Sequence, residues 1–596
     1  MKKITLFTLL VGLVIFFTDC RTDPDHKESE VTALDFKHKD NVVYVRLRAD
    51  ADNLHPYIAT STYAQQVYQH IFPYLLYFSP EDASLEPVLV KERAQVEEVT
   101  EGPYKGSLSY TFELLDEAQW DNGQTVTAAD VIFSFKAMFT NTWPNQRARG
   151  TYEFVDHIET YPNNPKRFTF YTRDRYILSE VQLSTISILP AYVYDPKNIL
   201  ADFALADLMD ADHKFSDAEM TRLQEFGDNF VSPKYQREAD FVIGCGPYKL
   251  ENWETKQRII LKKKDNWWGD KLADKYPMLE AKPKEIYYKI ISDQTTAVAA
   301  LRDQEVDAID QIQPQDYLKL KKDERINAFY DLDATVRLAG YGTAFNMRRT
   351  KLQQKEVRRA LTHLFDIDNI MSNILYDMGE PINSPIHPTK SYYNRDLPAI
   401  PFDLAEAKKL LAAAGWSDSN GNGIVDKEID GEQVELEVEY LVSSSIEEQI
   451  AILFQNSAAE VQVGVNIVKK EFVTKLDDLR KHNFDLVATG WRNYPMLYDP
   501  YSSFHSESAV AKGGNYSGIS IEKLDQLIAD IRSEIDEEKR NKLYADFQKL
   551  IYDEQPIVFL FSPLNPMATS KRFDGKQSSI GYYVNTFELK NSARLN

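Results

Sequence analysis

The chain contains 596 residues, of which 43% are hydrophobic and 12% aromatic, a composition that excludes an intrinsically disordered protein. Because a single hydrophobic core stops growing at roughly 250–300 residues, this length predicts about two to four lobes. The 91 Asp and Glu residues outnumber the 69 Lys and Arg residues to give a net charge of −22, which argues against nucleic acid as a partner.

The N-terminus has the pattern of an export signal. Lys2 and Lys3 precede an apolar run over residues 4–17, and a polar stretch follows Cys20. The run is shorter than the roughly 20 apolar residues of a transmembrane helix, and no later segment of the sequence qualifies as one. We therefore predict that residues 1–20 are a signal peptide and that the protein is exported to the periplasm or cell envelope.

Cys20 stands where a bacterial lipoprotein carries its acylated cysteine, and residues 21–39 would then tether the fold to a membrane. The alternative is an ordinary cleaved signal with an incidental cysteine, because Asp19 replaces the small residue that usually precedes the acylated one.

The only other cysteine in the sequence is Cys245, so a disulfide framework is excluded. Flanked by two glycines, Cys245 is interpreted as a small buried residue and not as a reactive thiol.

The first half of the exported chain reads as strands with one well-marked helix. β-branched and aromatic residues at 42–47 and 108–114 predict strands. Thr127 and Asp130 have the spacing of a capping box and predict the start of a helix with Val131 on its buried face.

Strands and helices also alternate in the middle of the chain. Residues 244–250 predict a tight turn leading into strands at 259–261 and 285–291, and a helix is predicted over 295–304.

Toward the C-terminus, Asp403 as N-cap with Glu406 as its partner predicts a helix that Gly415 ends. A pair of charged helices over 521–552 then precedes a buried strand at 556–561. This alternation, with no internal repeat, favours mixed α/β lobes over sandwiches, bundles or solenoids.

The sequence contains no phosphate-binding loop, no nucleophile elbow and no zinc-protease motif. Its ten histidines are dispersed, and carboxylate pairs are uninformative in so acidic a chain. We therefore predict a protein that is not an enzyme and carries no cofactor or transition metal.

One loop matches the first nine positions of a calcium site, with candidate oxygen ligands in Asp418, Asn420, Asn422 and Asp426. Ile429 stands where the twelfth position needs a bidentate Glu. A weak calcium site and a plain Asx-rich turn both remain open.

Residues 490–501 combine Trp, Arg, Asn, Tyr and Asp with two prolines, after a strand predicted at 484–488. Such a loop is suited to presenting flat surfaces and hydrogen bonds to a ligand, although most aromatic residues in a chain of this kind belong to the core.

Taken in order, several motifs resemble those of the family 5 extracytoplasmic solute-binding proteins, which include the oligopeptide- and dipeptide-binding components of ABC importers. The resemblance spans most of the chain and rests on Trp120-Asp121-Asn122-Gly123, residues 126–135, residues 244–250, Ala300-Leu301, Val306-Asp307, Phe345-Asn346, residues 357–361 with Asp366, residues 407–411 and residues 414–416.

The resemblance implies an α/β, two-lobed fold like that of periplasmic binding proteins, of the large type II class with an extra inserted domain and a hinge between the lobes. It implies a discontinuous lobe I and a single-segment lobe II. The implied boundaries are lobe I at 40–74, 236–337 and 556–596, the inserted domain at 75–235, and lobe II at 338–555.

It also implies ligand contacts at Tyr341 and in the loop 491–499, with residues 68–72, among them Tyr68 and His70, facing them across the cleft. The implied loop contacts are Trp491, Arg492, Asn493, Tyr494 and Asp499.

One departure from the family bears on the ligand. Peptide-binding members carry an Asp in this loop that pairs with the ligand's free amino group, whereas this chain has Asn493. The charge-assisted contact is therefore lost unless Asp499 supplies it.

The function that the resemblance implies is capture of a peptide or peptide-like solute between two lobes and its delivery to ABC permease subunits. We expect a monomer. Two alternatives stay open at this point: a secreted hydrolase and a ligand-binding sensory receptor.

Overall fold

The structure is a computed structural model that describes residues 35–79, 81, 83–493, 496–575, 577–578 and 581–590. The predicted signal peptide with Cys20, residues 21–34 of the predicted tether, and Tyr494 lie outside the described residues. Among the helices of the described ranges, none has the length and apolar character needed to cross a bilayer.

The described strands are β1 (Val42–Leu47), β2 (Leu76–Phe78), β3 (Leu85–Pro87), β4 (Gln95–Glu98), β5 (Leu108–Glu113), β6 (Val155–Tyr161), β7 (Asn164–Thr172), β8 (Tyr248–Glu254), β9 (Arg258–Lys263), β10 (Glu285–Ile290), β11 (Ala308–Ile309), β12 (Tyr330–Val336), β13 (Ala339–Phe345), β14 (Gly379–Pro381), β15 (Asp426–Ile429), β16 (Glu432–Glu435), β17 (Glu437–Val442), β18 (Gly464–Lys469), β19 (Leu486–Arg492), β20 (Ile557–Ser570), β21 (Phe573–Asp574), β22 (Gln577–Ser578), β23 (Gly581–Tyr582) and β24 (Glu588–Leu589).

The described α-helices are α1 (Thr62–Tyr68), α2 (Ala128–Phe139), α3 (Gln146–Tyr152), α4 (Ser179–Ser184), α5 (Ala191–Tyr194), α6 (Leu205–Met209), α7 (Asp217–Phe230), α8 (Pro233–Arg237), α9 (Gln294–Arg302), α10 (Pro314–Lys321), α11 (Glu324–Phe329), α12 (Lys355–Thr362), α13 (Ile367–Asn369), α14 (Leu404–Ala413), α15 (Ser445–Glu460), α16 (Phe472–Arg480), α17 (Tyr501–Phe504), α18 (Glu522–Ser533) and α19 (Glu537–Glu554).

The largest sheet has 12 strands in the order β18-β17-β19-β13-β20-β11-β1-β10-β9-β8, with β12 and β14 also paired to β20. Near one end β1 runs parallel to β10 and β11, and at the other end β17 runs parallel to β18 and β19. Val43, Val45 and Leu47 of β1 are fully buried, as expected for an inner strand of a covered sheet. The predicted mixed α/β class is confirmed.

β20 is shared by two halves of this sheet. The first lobe is the half with β1 and β8 to β11, and the second lobe is the half with β13 and β17 to β19. Residues 557–561 of β20 pair with β13, and residues 564–570 pair with β12. The change of partner lies opposite residues 337–338, which join β12 to β13. The two lobes are therefore joined by two strands that cross side by side, and we call this crossing the hinge.

The strand predicted at 556–561 is present as the first part of β20. The prediction ends it too early, because β20 continues to Ser570. Pro563 and Pro566 have no amide hydrogen to donate, which made continuation of the strand improbable from sequence. Both prolines still take part through their carbonyl groups, which accept hydrogen bonds from the amides of Arg337 and Ile312 at 3.2 and 2.9 Å. The prolines thus lie where only acceptors are required.

A separate four-stranded sheet, in the order β4-β5-β7-β6, lies within residues 95–172. α2 covers its inner face, and Phe135 of α2 packs against Phe170 of β7 at a ring-centroid distance of 5.3 Å. The predicted capping box is confirmed, since the amide of Thr127 donates to Asp130 at 2.8 Å. This sheet falls inside the range 75–235 that was predicted as the inserted domain.

The helix predicted from Asp403 is α14, and the Asp403 carboxylate caps the amides of Ala405 and Glu406. The predicted return contact from Glu406 is wrong. Glu406 pairs with Lys409 instead, because the carbonyl of His363 already accepts from the amide of Asp403 at 3.0 Å.

A buried ion pair fastens the two ends of the folded chain together. Arg572 donates from Nε and Nη2 to the two carboxylate oxygens of Asp307, each at 2.7 Å. The two residues are 1% and 4% exposed. The guanidinium also donates to the carbonyls of Asp40 and Val42, so the pair connects the start of β1, β11 and the end of β20.

Replacing Arg572 by Met should lower the free energy of unfolding by about 3–5 kcal/mol, because the Asp307 carboxylate would stay buried without its partner. Urea unfolding followed by far-UV circular dichroism measures the change. Lys481→Met, which removes the exposed pair between Lys481 and Asp477, is the matched control and should change little. Equal midpoint shifts for the two variants would contradict the assignment.

Candidate functional site

Two neighbouring chambers lie between the lobes, on either side of Arg337. The first chamber has a volume of about 640 Å³ and is bounded by α1 and the residues after it, by α3, and by Leu338, Arg492 and Asn493 of the second lobe. The second chamber has a volume of about 430 Å³ and is bounded by residues from both lobes next to the hinge. Arg337 contributes to both walls.

The first-lobe wall of the first chamber is rich in tyrosine and in side-chain amides. Tyr74 and Tyr77 stack with their ring centroids 5.4 Å apart, and the Tyr77 hydroxyl donates to Gln69 at 3.1 Å. Burial raises the pKa of Tyr77 and of Tyr152, so both phenols stay protonated. This wall therefore offers neutral hydrogen-bonding groups on flat aromatic surfaces.

His70 lies in this wall and is 8% exposed. Burial lowers the pKa of its imidazole to about 4, so the ring is neutral near pH 7. Its carbonyl accepts from the amide of Tyr248 at 3.2 Å. A methyl group at Gly246 would come within 2.5 Å of the same carbonyl oxygen, so glycine is needed at Gly246 to let the turn pack against His70.

Cys245 completes that turn and is 1% exposed, in agreement with its interpretation as a buried residue. Its carbonyl accepts from the indole nitrogens of Trp267 and Trp268, each at 2.9 Å. Burial raises the pKa of the Cys245 thiol to about 12. The adjacent tryptophans thus hold the turn in place, and the thiol stays un-ionised.

On the second lobe, the end of β19 brings Arg492 and Asn493 to the first chamber. β19 pairs with β13 so that Arg492 lies opposite Ala339, and the amide of Asn493 donates to the carbonyl of Leu338 at 2.9 Å. Asn493 is 4% exposed, and its Oδ1 accepts no hydrogen bond from the described residues. A buried acceptor that faces a chamber without a partner is positioned to bind a ligand.

Trp491 does not line either chamber. Its indole nitrogen donates to the carbonyl of Pro385 at 2.8 Å, and its ring meets Phe559 edge-on at 5.5 Å. A methyl group at Gly340 would come within 2.2 Å of the indole. Trp491 thus packs the loop onto the second lobe.

Tyr341 lines the second chamber and not the first. It stacks on Phe561 of β20 at a centroid distance of 5.3 Å. The structure therefore brings Tyr68, His70, Arg492 and Asn493 together in one chamber and places Tyr341 in the other.

Asp499 lines neither chamber and does not replace the charge missing at Asn493. Its Oδ2 accepts from the Tyr176 hydroxyl at 2.8 Å and from Arg532 Nε at 3.1 Å. Tyr176 follows the four-stranded sheet, whereas Asp499 and Arg532 belong to the second lobe. We call these three residues the latch, because they connect the segment after the four-stranded sheet to the second lobe.

The loop with calcium-like spacing directs its carboxylates at its own backbone. Asp418 accepts from the amides of Gly421, Asn422 and Gly423, and buried Asp426 accepts from Ser419. No cluster of three metal-ligating side chains occurs within the described ranges. The arrangement is that of an Asx-rich turn, the alternative considered for this loop.

Sequence reasoning missed Arg337, Asp310, Asn565 and the tyrosines at 74, 77 and 582, all of which line the first chamber. Arg337 carried a weak signal, since it interrupts the apolar and small residues between two strands. The three tyrosines carried no signal in the sequence, because tyrosines of the hydrophobic core occur in the same kind of sequence pattern.

A two-lobed α/β protein with a ligand-sized cleft at its hinge belongs to the class of periplasmic-type binding proteins. The model of the bacterial extracellular solute-binding proteins, family 5 middle region, matches residues 96–512, and the chain belongs to this family.

In sequence, the chain is 27% identical over 474 residues to the oligopeptide-binding protein AppA of Bacillus subtilis, an alignment that covers 79% of this chain and 78% of AppA. It is 22% identical over 526 residues to the nickel-binding periplasmic protein of Escherichia coli, covering 87% and 88% of the two chains.

In structure, it resembles Bacillus subtilis AppA in complex with a nonapeptide, with a TM-score of 0.66 at 23% identity, covering 92% of this chain and 99% of AppA. The two-lobed fold expected from sequence is confirmed.

Replacing Tyr176 by Phe should loosen closure of the cleft, because the hydroxyl supplies a hydrogen bond to a carboxylate that connects the two parts. Small-angle X-ray scattering of the ligand-free protein should show a larger radius of gyration than for the parent protein.

The matched control for this variant is Tyr501→Phe. The Tyr501 ring also packs on Arg532, at 4.4 Å, but its hydroxyl donates to Glu507 within the second lobe. This variant should leave the radius of gyration unchanged, and an equal effect of both variants would exclude the latch.

Acidification should destabilise the first lobe through His70. The folded-state pKa of about 4 lies below the unfolded value of about 6.5, so the unfolded chain binds the extra proton as the pH falls through this window. Stability from the neutral ring is complete above about pH 6.5 and is lost toward pH 4. His70→Gln should flatten the pH dependence of the melting temperature in this window, whereas His157→Gln on β6 should preserve it.

Proposed function

We propose that this protein is the extracytoplasmic solute-binding component of an ABC importer. It captures a peptide or peptide-like solute between its two lobes and delivers it to permease subunits in the membrane. It makes and breaks no bond of the solute, and it acts as a monomer.

The observation that carries the peptide assignment is the density of amide side chains around the first chamber. Gln65, Gln66, Gln69, Asn493 and Asn565 all border it. A side-chain amide carries one acceptor and two donor hydrogens, which complements the alternating C=O and N–H groups of a peptide backbone. The tyrosine rings between them provide flat apolar surface for side chains of different shapes.

The hinge supplies the mechanism of capture. Within the described residues, the two halves of the large sheet are joined by the connection 337–338 and by the partner change in β20. Rotation about these two strands opens the cleft without breaking the core of either lobe. A solute that contacts both walls binds the closed form better than the open one, and binding therefore drives closure.

The relatives support this class of ligand without fixing it. The names of AppA and of its nonapeptide complex point to peptides, whereas another relative is named for nickel. The clusters of His, Cys, Asp and Glu that a bare metal ion needs do not occur in the described ranges, and the amide-rich wall favours a peptide.

A secreted hydrolase is the second candidate function. The carboxylates that line the two chambers are Asp310 and Glu447. Glu447 accepts from Lys475 with both oxygens at 2.8–2.9 Å, so its lone pairs are already committed. A role as a sensory receptor uses the same capture step and differs only in the membrane partner.

We also propose that the protein is held at the cell envelope through a lipid on Cys20, with residues 21–39 as tether. The position of Cys20 after the apolar run supports this. Cys20→Ser should release the mature protein from the membrane fraction, and an unmodified N-terminus on the parent protein would contradict the anchor.

Native mass spectrometry of the protein purified from a bacterial periplasm tests the proposed ligand. We expect a monomer whose mass exceeds the chain mass by that of a small solute, and we expect denaturation to release a set of peptides. A library of peptides incubated with the purified protein should be recovered uncut.

Release of a single sugar or metal chelate would overturn the peptide assignment and leave the binding-protein class intact. Cleavage of the library at a rate that follows the protein concentration would favour the hydrolase.

A further inference from the structure

The two chambers carry an excess of positive charge, although the chain as a whole has a net charge of −22. The arginines on their walls are Arg48, Arg337 and Arg492, and the carboxylates are Asp310 and Glu447. Which of these charges are already compensated within the protein decides which charge a ligand must bring.

Glu447 is compensated. Both of its oxygens accept from the ammonium of Lys475, which is 5% exposed, and one of them also accepts from the amide and hydroxyl of Ser443. This pair contributes no net charge to the second chamber.

Asp310 faces charges of the opposite sign. Burial lowers the pKa of the neighbouring Arg46, and the Asp310 carboxylate acts against that shift. The guanidinium of Arg46 donates only to neutral groups, namely the carbonyls of Ile291 and Ser292 and the side chain of Gln294. Arg46, Arg48, Arg337 and Arg492 therefore outnumber this one carboxylate around the first chamber and the hinge, and the balance of charge there is positive.

Arg337 and Arg492 have no such compensation. Neither guanidinium makes a hydrogen bond or ion pair with the described residues, whereas Arg48 donates to Gln311 at 2.5 Å. The hinge holds the backbone of Arg337 in place, since its carbonyl accepts from the Ser562 hydroxyl at 3.1 Å and its amide donates to Pro563. Arg492 lies on the neighbouring strand, opposite Ala339.

Asn493 is adjacent to both arginines and brings no charge. Its amide donates to Leu338, the residue after Arg337, and its buried Oδ1 has no partner among the described residues. A ligand ammonium at Asn493 would lie near two guanidinium groups and would find no carboxylate on Asn493 itself, so like-charge repulsion would oppose its binding. An uncharged N–H group at the same place would satisfy the Oδ1 at no electrostatic cost.

We propose that the cleft selects anionic peptides with a blocked amino end. At least one carboxylate of the ligand binds Arg337 and Arg492, and an uncharged amide N–H of the ligand donates to Asn493. This inference rests on the proposed function, since it specifies the peptide class for the same site.

The test uses the mature full-length protein after its endogenous solute has been removed by dialysis. A library of random tripeptides is prepared in four forms, with the amino end free or acetylated and the carboxyl end free or amidated. Native mass spectrometry reads which form is retained in competition. We expect the acetylated acids to be retained at least about tenfold over the free-amine amides, since a charge-assisted hydrogen bond changes affinity by about this factor.

Two variants locate the selectivity. Arg492 is exposed, so Arg492→Gln leaves the packing intact and should lower the preference for free carboxylates about tenfold. Arg325→Gln is the matched control, because Arg325 is exposed on α11 and lines neither chamber. Asn493→Asp should raise retention of the free-amine forms by a similar factor.

The outcomes separate the two proposals. Retention of free-amine peptides equal to or above that of acetylated acids would overturn the anionic, blocked ligand while the peptide function stands. An Arg492→Gln variant with the parent's preference would overturn the assignment of the carboxylate to this wall. Retention of no peptide in any form would overturn the proposed function and the inference together.

Discussion

Pairing of β20 with β13 on one lobe and with β12 on the other is the interaction on which the geometry of the cleft depends. The hydrogen-bonded strands fix the register of the two half-sheets at their junction, so residues 337–338 must lie at the floor between the lobes. A side chain at that point faces both chambers, as Arg337 does. The position of a ligand-binding charge thus follows from strand pairing and not from a flexible loop.

The large elements of the fold could be predicted because their signals are local. The capping box at Thr127 and the cap at Asp403 specify helix starts from a few consecutive residues. The sequence predicts only the first part of β20, because the rest depends on partners more than 200 residues away, whose amides donate to the carbonyls of Pro563 and Pro566. A proline in a sequence shows that the backbone amide hydrogen is missing at that position. It does not show whether the fold needs a hydrogen-bond donor there.

The residues of the site also differ in whether their roles could be predicted from local sequence. Asn493 and Arg492 could be placed near the ligand from the resemblance, and Trp491 and Asp499 belong to the same loop yet serve its packing and the latch. Loop residues one or two positions apart point in different directions, and only the tertiary partners Pro385, Tyr176 and Arg532 decide which of them face the cleft. Arg337 could not be predicted as a site residue, because a single arginine between two strands belongs to no recognisable motif.

The contrast between an acidic surface and an arginine-lined cleft separates two stages of recognition. Charge at long range is screened within about 8–10 Å at physiological ionic strength, so the surface keeps the protein dispersed without repelling an anion strongly. At the hinge, where Arg337 is half-buried, the effective dielectric is lower than in bulk water, so this guanidinium attracts an anion more strongly. The protein therefore selects a ligand by charge only once the ligand is in contact with the cleft.

The latch sets a compromise between affinity and throughput. Contacts among Tyr176, Asp499 and Arg532 involve protein side chains alone. Strengthening them would lower the conformational free energy that a solute must supply for closure, and it would also raise the closed fraction of solute-free protein. An empty shut form excludes new solute and presents a loaded shape to any receptor. Arg532 and Asp499 are both partly exposed to solvent, which weakens their ion pair. The latch therefore favours closure only slightly and leaves the protein able to reopen.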